Sequence, residues 1–290
     1  MIIDAHIHLR NLLHGQDNGV DRQALTWGRA REGDRMYYAT PPSFDDSLST
    51  YERALAHMDW LGIERAVVLQ EFMDGKQDEY LAQVRDAEPN RFSCLALFDR
   101  HYLADPLAAF DMAIKVNQLQ GFLVKTPQPF TELATSNLLP FWRLCSEQNL
   151  PIVLKDGAPA EVTRLFKHVP GINLVLSHFA SSFGSESDYR ARLELAASWE
   201  NVTIDTGALT YLQSSPFIKA QERLQQALEV VGADKIAWGS DYPRPQLHAD
   251  NSYKQQLEFI TAECRFLSTQ QREQILFRTA LRVYIWQSVM

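Results

Sequence analysis

Short, nearly continuous apolar runs recur along the chain, and longer segments with the apolar spacing of helices separate them. Eight runs read as strands: 2–8, 65–70, 92–98, 121–125, 151–156, 174–179, 202–206 and 236–241. Val67-Val68-Leu69 and Leu174-Val175-Leu176 lack polar alternation, as strands covered on both faces should. The segments 51–61, 105–119, 138–148, 159–167, 187–199, 216–231 and 253–266 read as helices. Gly62 and Gly232 stand where a helix stops just before a strand. This series predicts an α/β fold in which eight parallel strands close into a (β/α)8 TIM barrel, one domain over 1–290. An open doubly wound sheet is the competitor, and the lack of a Gly-rich phosphate turn after the first run counts against it. Residues 9–48 break the rhythm, because a loop between strand and helix usually has about 2–6 residues. This insertion carries Arg10, Arg22, Trp27, Arg29, Arg31, Arg35, Tyr37 and Tyr38. One reading makes it a lid over the barrel mouth with cationic and aromatic substrate contacts; the other makes it a homodimer contact or a solvated loop.

Composition narrows the picture. At 46% apolar and 22% charged residues the chain is globular, which excludes a disordered chain or a coiled coil. A net charge of −8 argues against a broad cationic face for nucleic acid or an anionic membrane. The expected partner is a small acidic molecule. Cys94, Cys145 and Cys264 are too few and too scattered for a disulfide framework or a Cys-based zinc site. No apolar run approaches the ~18–20 residues of a membrane helix. Met1-Ile2-Ile3-Asp4 has no basic leader pattern, so a cytoplasmic location is expected.

The chemistry gathers at strand ends. The first run ends in His6-Ile7-His8, and strand alternation points both imidazoles the same way, able to chelate one cation. The sixth ends in Ser177-His178-Phe179 and the eighth in Gly239-Ser240-Asp241. At the mouth of a barrel these would meet.

The stretches Ile3-Asp4-Ala5-His6-Ile7-His8, Leu174-Val175-Leu176-Ser177-His178, 201–206 and Trp238-Gly239-Ser240-Asp241-Tyr242-Pro243 resemble, in order, the amidohydrolase-2 branch of the amidohydrolase superfamily. The resemblance implies a barrel enzyme, a hydrolase or carbon–carbon lyase acting on a small acid, often with one divalent metal such as zinc. It implies that His6, His8 and Asp241 are metal-ligand positions. It further implies that His178 polarises the reacting carbonyl or joins the metal shell, and that Asp241 takes the proton of the attacking water. The chain departs from the pattern at the fifth strand, where Lys155 replaces the usual histidine ligand. An ammonium has no lone pair to offer a cation. Lys155 is then carboxylated, or binds a substrate carboxylate beside a weak or absent metal, or points away with Asp156 inward. Metal-free operation has precedent among lactonases of this group. Lys125, at the end of the fourth strand, raises the same question, and substrate binding is preferred for both lysines.

Arg10, Lys125, Tyr242 and Arg244 are the candidate substrate contacts, and Asp241, His178 and Lys155 the candidate catalytic residues. His57 and His168 read as surface residues, and His248 lies in the eighth strand's loop, within reach of the mouth. Ser181, Ser182 and Ser185 read either as anion-binding groups at a helix start or as plain N-caps. Ser240 lacks a G-x-S-x-G context and reads as a structural strand-end residue. Three functions follow: hydrolysis of a small carboxylated ester, lactone or amide; non-oxidative decarboxylation of a small acid; or ligand binding without catalysis. Retention of His6, His8 and Asp241 argues against the last.

Overall fold

The computed structural model describes residues 1–17, 19–98, 104–124, 132–155, 157–181, 185–212, 214–244 and 252–286. The barrel strands follow the predicted order. They are Ile3–His8, Arg65–Leu69, a third in two pieces (Phe92–Cys94 and Ala96–Phe98), Phe122–Val124, Pro151–Leu154, Asn173–Leu176, Val202–Asp205 and Ile236–Ala237. All pair in parallel with their neighbours. The third strand changes partner at Leu95: Cys94 pairs with Val68, whereas Ala96 pairs with Phe122. The ring closes where the chain beyond Ala237 meets the first strand. Ala5 N donates to Trp238 O at 2.7 Å, Asp241 N to His6 O at 2.8 Å and His8 N to Tyr242 O at 2.7 Å. The architecture is a (β/α)8 barrel with an insertion after its first strand.

Two apolar layers hold it together. Ile3, Ala5, Val67, Leu69, Leu95, Leu97, Leu123, Val153, Val175 and Ala237 fill the barrel, closed below by Ala280, Val283 and Tyr284 of the C-terminal segment. The alternate residues, such as Ile7, Ala66, Val68, Ile152 and Leu174, meet the surrounding helices. Strand periodicity of two produces this division.

The first strand carries an irregularity that decides which of its side chains face the mouth. Its register against the second strand shifts between Asp4 and Ile7, so Asp4 faces Ala66 but Ile7 faces Val68. One extra residue is accommodated there, as in a β-bulge. Ile3 and Ala5 point into the barrel and Ile7 packs outside it. Without the bulge, Ile7 would follow Ala5 inward and the histidines would face the helices.

The helices sit near their predicted bounds, for example Tyr51–Leu61, Leu139–Glu147, Pro159–His168 and Glu186–Ser198. Gly62 ends the first with φ +71°, a conformation glycine adopts at no steric cost. Ser185, Ser252 and Ser268 cap helices by accepting from the backbone N–H three residues on. The helix Asp78–Ala87 and the helical C-terminal stretch from Thr269 to Val283 add to the predicted set.

The insertion is a small antiparallel sheet: Gln16–Asp17, Val20–Ala24, Arg29–Glu32 and Arg35–Tyr38. It docks on the turn Phe72–Asp74 that follows the second strand. Asp74, buried, accepts from Arg10 Nη1 and Arg22 Nη1, each at 3.0 Å. Arg10 also donates to the carbonyls of Ser47 at 2.9 Å and Ala39 at 3.1 Å. No helix among the described residues is long and apolar enough to cross a membrane.

Removing Asp74 strands two buried guanidiniums, the costly way to break an ion pair. Asp74→Ala should lower stability by about 3–5 kcal/mol. A shift in the urea midpoint smaller than a third of that would show that the insertion is held by other contacts.

Candidate active site

The mouth is built by strand ends. His6 Nδ1 lies 3.1 Å from Asp205 Oδ2, and His8 Nδ1 lies 3.0 Å from the carbonyl of Leu69. A carbonyl only accepts, so His8 carries its hydrogen on Nδ1; Asp205 selects the same tautomer in His6. In the neutral rings both Nε2 atoms therefore present lone pairs, and they face each other at 3.3 Å. Asp241 Oδ1 joins them, 2.8 Å from His8 Nε2 and 3.5 Å from His6 Nε2. Three acceptors converge on one point, an arrangement that calls for a positive centre, either a shared proton or a cation.

His178 completes the group. Its ring stacks on His6 with centroids 5.2 Å apart, and its buried Nε2 has no hydrogen-bond partner among the described residues. Ligand atoms of His6, His178 and Asp241 lie within 4.8 Å of one another. The donor set, two imidazoles and a carboxylate with a third imidazole beside them, suits a divalent ion of the zinc type. The orphaned, buried nitrogen of His178 in the same cluster supports that fit.

The surroundings enforce this geometry. Asp205 accepts from His6 through one oxygen and from the backbone N–H of Gly207 (2.8 Å) and His178 (3.2 Å) through the other. A Cβ on Gly207 would stand 2.5 Å from His6 Nδ1, and one on Gly239 would stand 2.6 Å from His6 Cβ. His178, Phe179 and Ala180 hold φ near +50°, and Asp241 holds +60°. Such left-handed backbone at non-glycine residues is strain of the kind found at functional sites. Tyr211 donates its hydroxyl to Asp241 Oδ2 at 2.8 Å, so both oxygens of that carboxylate are engaged.

Burial opposes ionisation of Asp241, but a proton shared with His8 Nε2 at 2.8 Å, together with the imidazoles of His6 and His178, holds it well below the usual carboxylate range. Burial lowers His8. Burial also works against a charged His6, yet Asp205 and Asp241 outweigh it and raise its pKa. His178 is pushed well down by burial and by the Lys155 ammonium.

Lys155 Nζ meets Glu71 Oε1, and both side chains are largely buried. A carboxylated lysine would put two anions in contact there, whereas an ammonium pairs with the Glu71 carboxylate. Arg244 is 23% exposed at the mouth and approaches Asp74 at 3.8 Å. Burial works against its charge, but Asp74, Glu71 and Asp241 outweigh this and raise its pKa.

The structure thus brings His6, His8, His178, Lys155, Asp241 and Arg244 to one face. It does not bring Tyr242 or Arg10 there. Tyr242 is fully buried between Phe44 and Tyr253, its hydroxyl 3.0 Å from His57 Nδ1; alternation turns it away when Asp241 faces in. Arg10 is committed to Asp74 and two carbonyls. His57, expected on the surface, is half-buried by that contact with Tyr242, whereas His168 is exposed. Ser240 is structural, donating to Asp4 Oδ2 at 2.5 Å. Lys125, Asp156, Ser182 and His248 lie outside the described residues. Sequence reasoning missed Asp205, Glu71 and Tyr211.

The chain belongs to the amidohydrolase family, whose sequence profile matches residues 3–286. Its fold is similar to a probable 2-pyrone-4,6-dicarboxylic acid hydrolase from Acinetobacter baumannii solved with citric acid bound, at TM-score 0.71 and 17% identity, covering 97% of this chain and 98% of that one. A Burkholderia multivorans amidohydrolase with bound zinc gives TM-score 0.71 and 17% identity, covering 99% and 100%. A 2,6-dihydroxybenzoate decarboxylase from Rhizobium gives TM-score 0.61 and 17% identity, covering 81% and 88%. No curated protein matches the chain. Members of the family commonly use a divalent metal, and the zinc-bound relative is an instance.

Asp4 offers a test of the first strand's packing. Burial raises its pKa from 3.8 to about 6 against the hydrogen bonds from Ser240 and His6. Between those values the folded state keeps a proton that the unfolded state has released. Stability should therefore fall as pH rises from about 4 to about 6, by on the order of 3 kcal/mol. Asp4→Asn should flatten that segment of the urea-midpoint profile. An unchanged slope would assign it to another group.

Proposed function

We propose that the protein hydrolyses a small carboxylated ester, lactone or amide at this mouth. The observation that carries the reading is Asp241, ionised, held on both oxygens and facing three imidazoles. Asp241 takes a proton from the attacking water. His178, largely neutral and with its Nε2 unpartnered, points at the place where a carbonyl oxygen would sit. Tyr211 keeps the carboxylate from rotating as it gains the proton. Lys155 and Arg244 receive the substrate's own carboxylate, since each presents a cation at the mouth and neither is needed to hold a strand in register.

His6, His178 and Asp241, with His8 beside them, would hold a divalent ion such as Zn2+, which supplies Lewis-acid polarisation of the carbonyl and acidifies water. Lys155 contributes no ligand to it. The fold likeness to a lactone-type dicarboxylate hydrolase supports this reaction class. The lower likeness to a decarboxylase keeps decarboxylation as the second reading, because the same base and cations could steady a departing carboxylate.

Screening carboxylated lactones and esters, with released CO2 measured in parallel, separates the two. On the substrate so found, Asp241→Asn should lower kcat by about 10²–10⁴-fold with the fold intact. Near-normal kcat in a folded Asp241→Asn protein would remove it from the mechanism, and CO2 without acid release would replace hydrolysis by decarboxylation.

A further inference from the structure

Glu71 has no role in the reading above, yet it is almost wholly buried and its carboxylate lies on the Lys155 ammonium. The two residues follow the ends of different barrel strands, 84 positions apart. Glu71 stands on a rigid platform. Before it, Gln70 Nε2 donates to Asp78 Oδ1 at 2.7 Å and to Leu95 O at 2.8 Å, while Gln70 Oε1 accepts from Gln77 N at 2.7 Å. After it, the turn Phe72–Asp74 ends in the carboxylate that anchors Arg10 and Arg22. Both ends of the segment are therefore fixed by buried hydrogen bonds. A lysine side chain has four rotatable carbons and no preferred direction of its own. Its charge already acts on His6 and His178, the imidazoles that face Asp241, so an ammonium released from Glu71 is free to turn toward the anions of the mouth, Asp241 among them.

We infer that Glu71 is a positioning residue: it holds the Lys155 ammonium away from Asp241 and aims it at the substrate's anionic group, and so sets the preference for carboxylated over neutral substrates. The inference rests on the proposed hydrolysis of an acidic substrate and names what selects that acid. Glu71 itself touches no reacting atom; it acts through Lys155, which a coupling experiment reads directly.

The test compares kcat/KM for a carboxylated ester with that for the same ester bearing a neutral methyl ester in place of the carboxylate. In Glu71→Gln the ratio should fall about tenfold, chiefly through KM of the acid, and Glu71→Asp should restore part of it. A substitution that merely loosened the fold would lower both substrates together and leave the ratio unchanged. Glu71→Gln leaves a buried ammonium unpaired, so the double variant Glu71→Gln/Lys155→Gln, which removes both charges, guards against loss of folding. In the Lys155→Gln background, adding Glu71→Gln should change the ratio less than twofold. A further tenfold loss there, or an unchanged ratio in Glu71→Gln alone, would overturn the role of Glu71. A wild-type enzyme with no preference for the acid would instead overturn the acidic-substrate reading itself, before any variant is compared.

Discussion

Two lone pairs, on His6 and His8, face each other at 3.3 Å because the opposite nitrogen of each ring is committed elsewhere. Two acceptors at that distance repel unless something positive lies between them, and Asp241 makes the demand stronger by adding a third. The rest of the mouth serves to keep this arrangement from relaxing. Asp205 and the Leu69 carbonyl fix the tautomers. Gly207 and Gly239 let backbone come close enough to stop the His6 ring from turning. Tyr211 and the left-handed backbone at Asp241 keep the carboxylate aimed. A site that binds a cation or shares a proton on demand has to be held open at some cost in stability, and the close-packed barrel supplies the rigidity to hold it.

Much of this fold is readable in the sequence because buried parallel strands leave unbroken apolar runs. The helix Asp78–Ala87 escaped because Leu81 and Val84 are its only buried apolar residues, which is too sparse for a pattern. The insertion strands escaped for the same reason: Arg29–Glu32 buries one side chain, and Arg35–Tyr38 none. The bulge left no trace at all. His6-Ile7-His8 alternates correctly within itself, but whether the histidines or Ile7 face inward depends on one extra residue upstream. Only pairing with the second strand reveals that residue. The inward direction was expected from the barrel architecture, and the bulge is what delivers it.

The missed site residues divide by the same logic. Asp205 ends an apolar strand as Asp241 does, so the signal existed in Thr203-Ile204-Asp205. Glu71 and Tyr211 sit just past strand ends, in turns whose side-chain directions no period of two or 3.6 dictates. Tyr242 erred the other way: adjacency to Asp241 suggested a shared direction, whereas neighbours on extended chain point oppositely.

The charge layout adds a constraint on what can enter. The chain carries a net −8, yet Arg10, Arg22 and Arg244 converge on the single carboxylate of Asp74, and Lys155 sits one short turn away on Glu71. Arg10 and Arg22 bond Asp74 directly at 3.0 Å; Arg244, at 3.8 Å, is the loosest of the three and the one partly exposed to the mouth. A local excess of positive charge within an acidic protein draws small anions to one place and repels them elsewhere. Because Asp74 is already shared by two closer guanidiniums, Arg244 gives up little by turning to an incoming carboxylate. On the proposed reading, the insertion's two arginines occupy Asp74 and leave Arg244 as the guanidinium available to an acidic substrate.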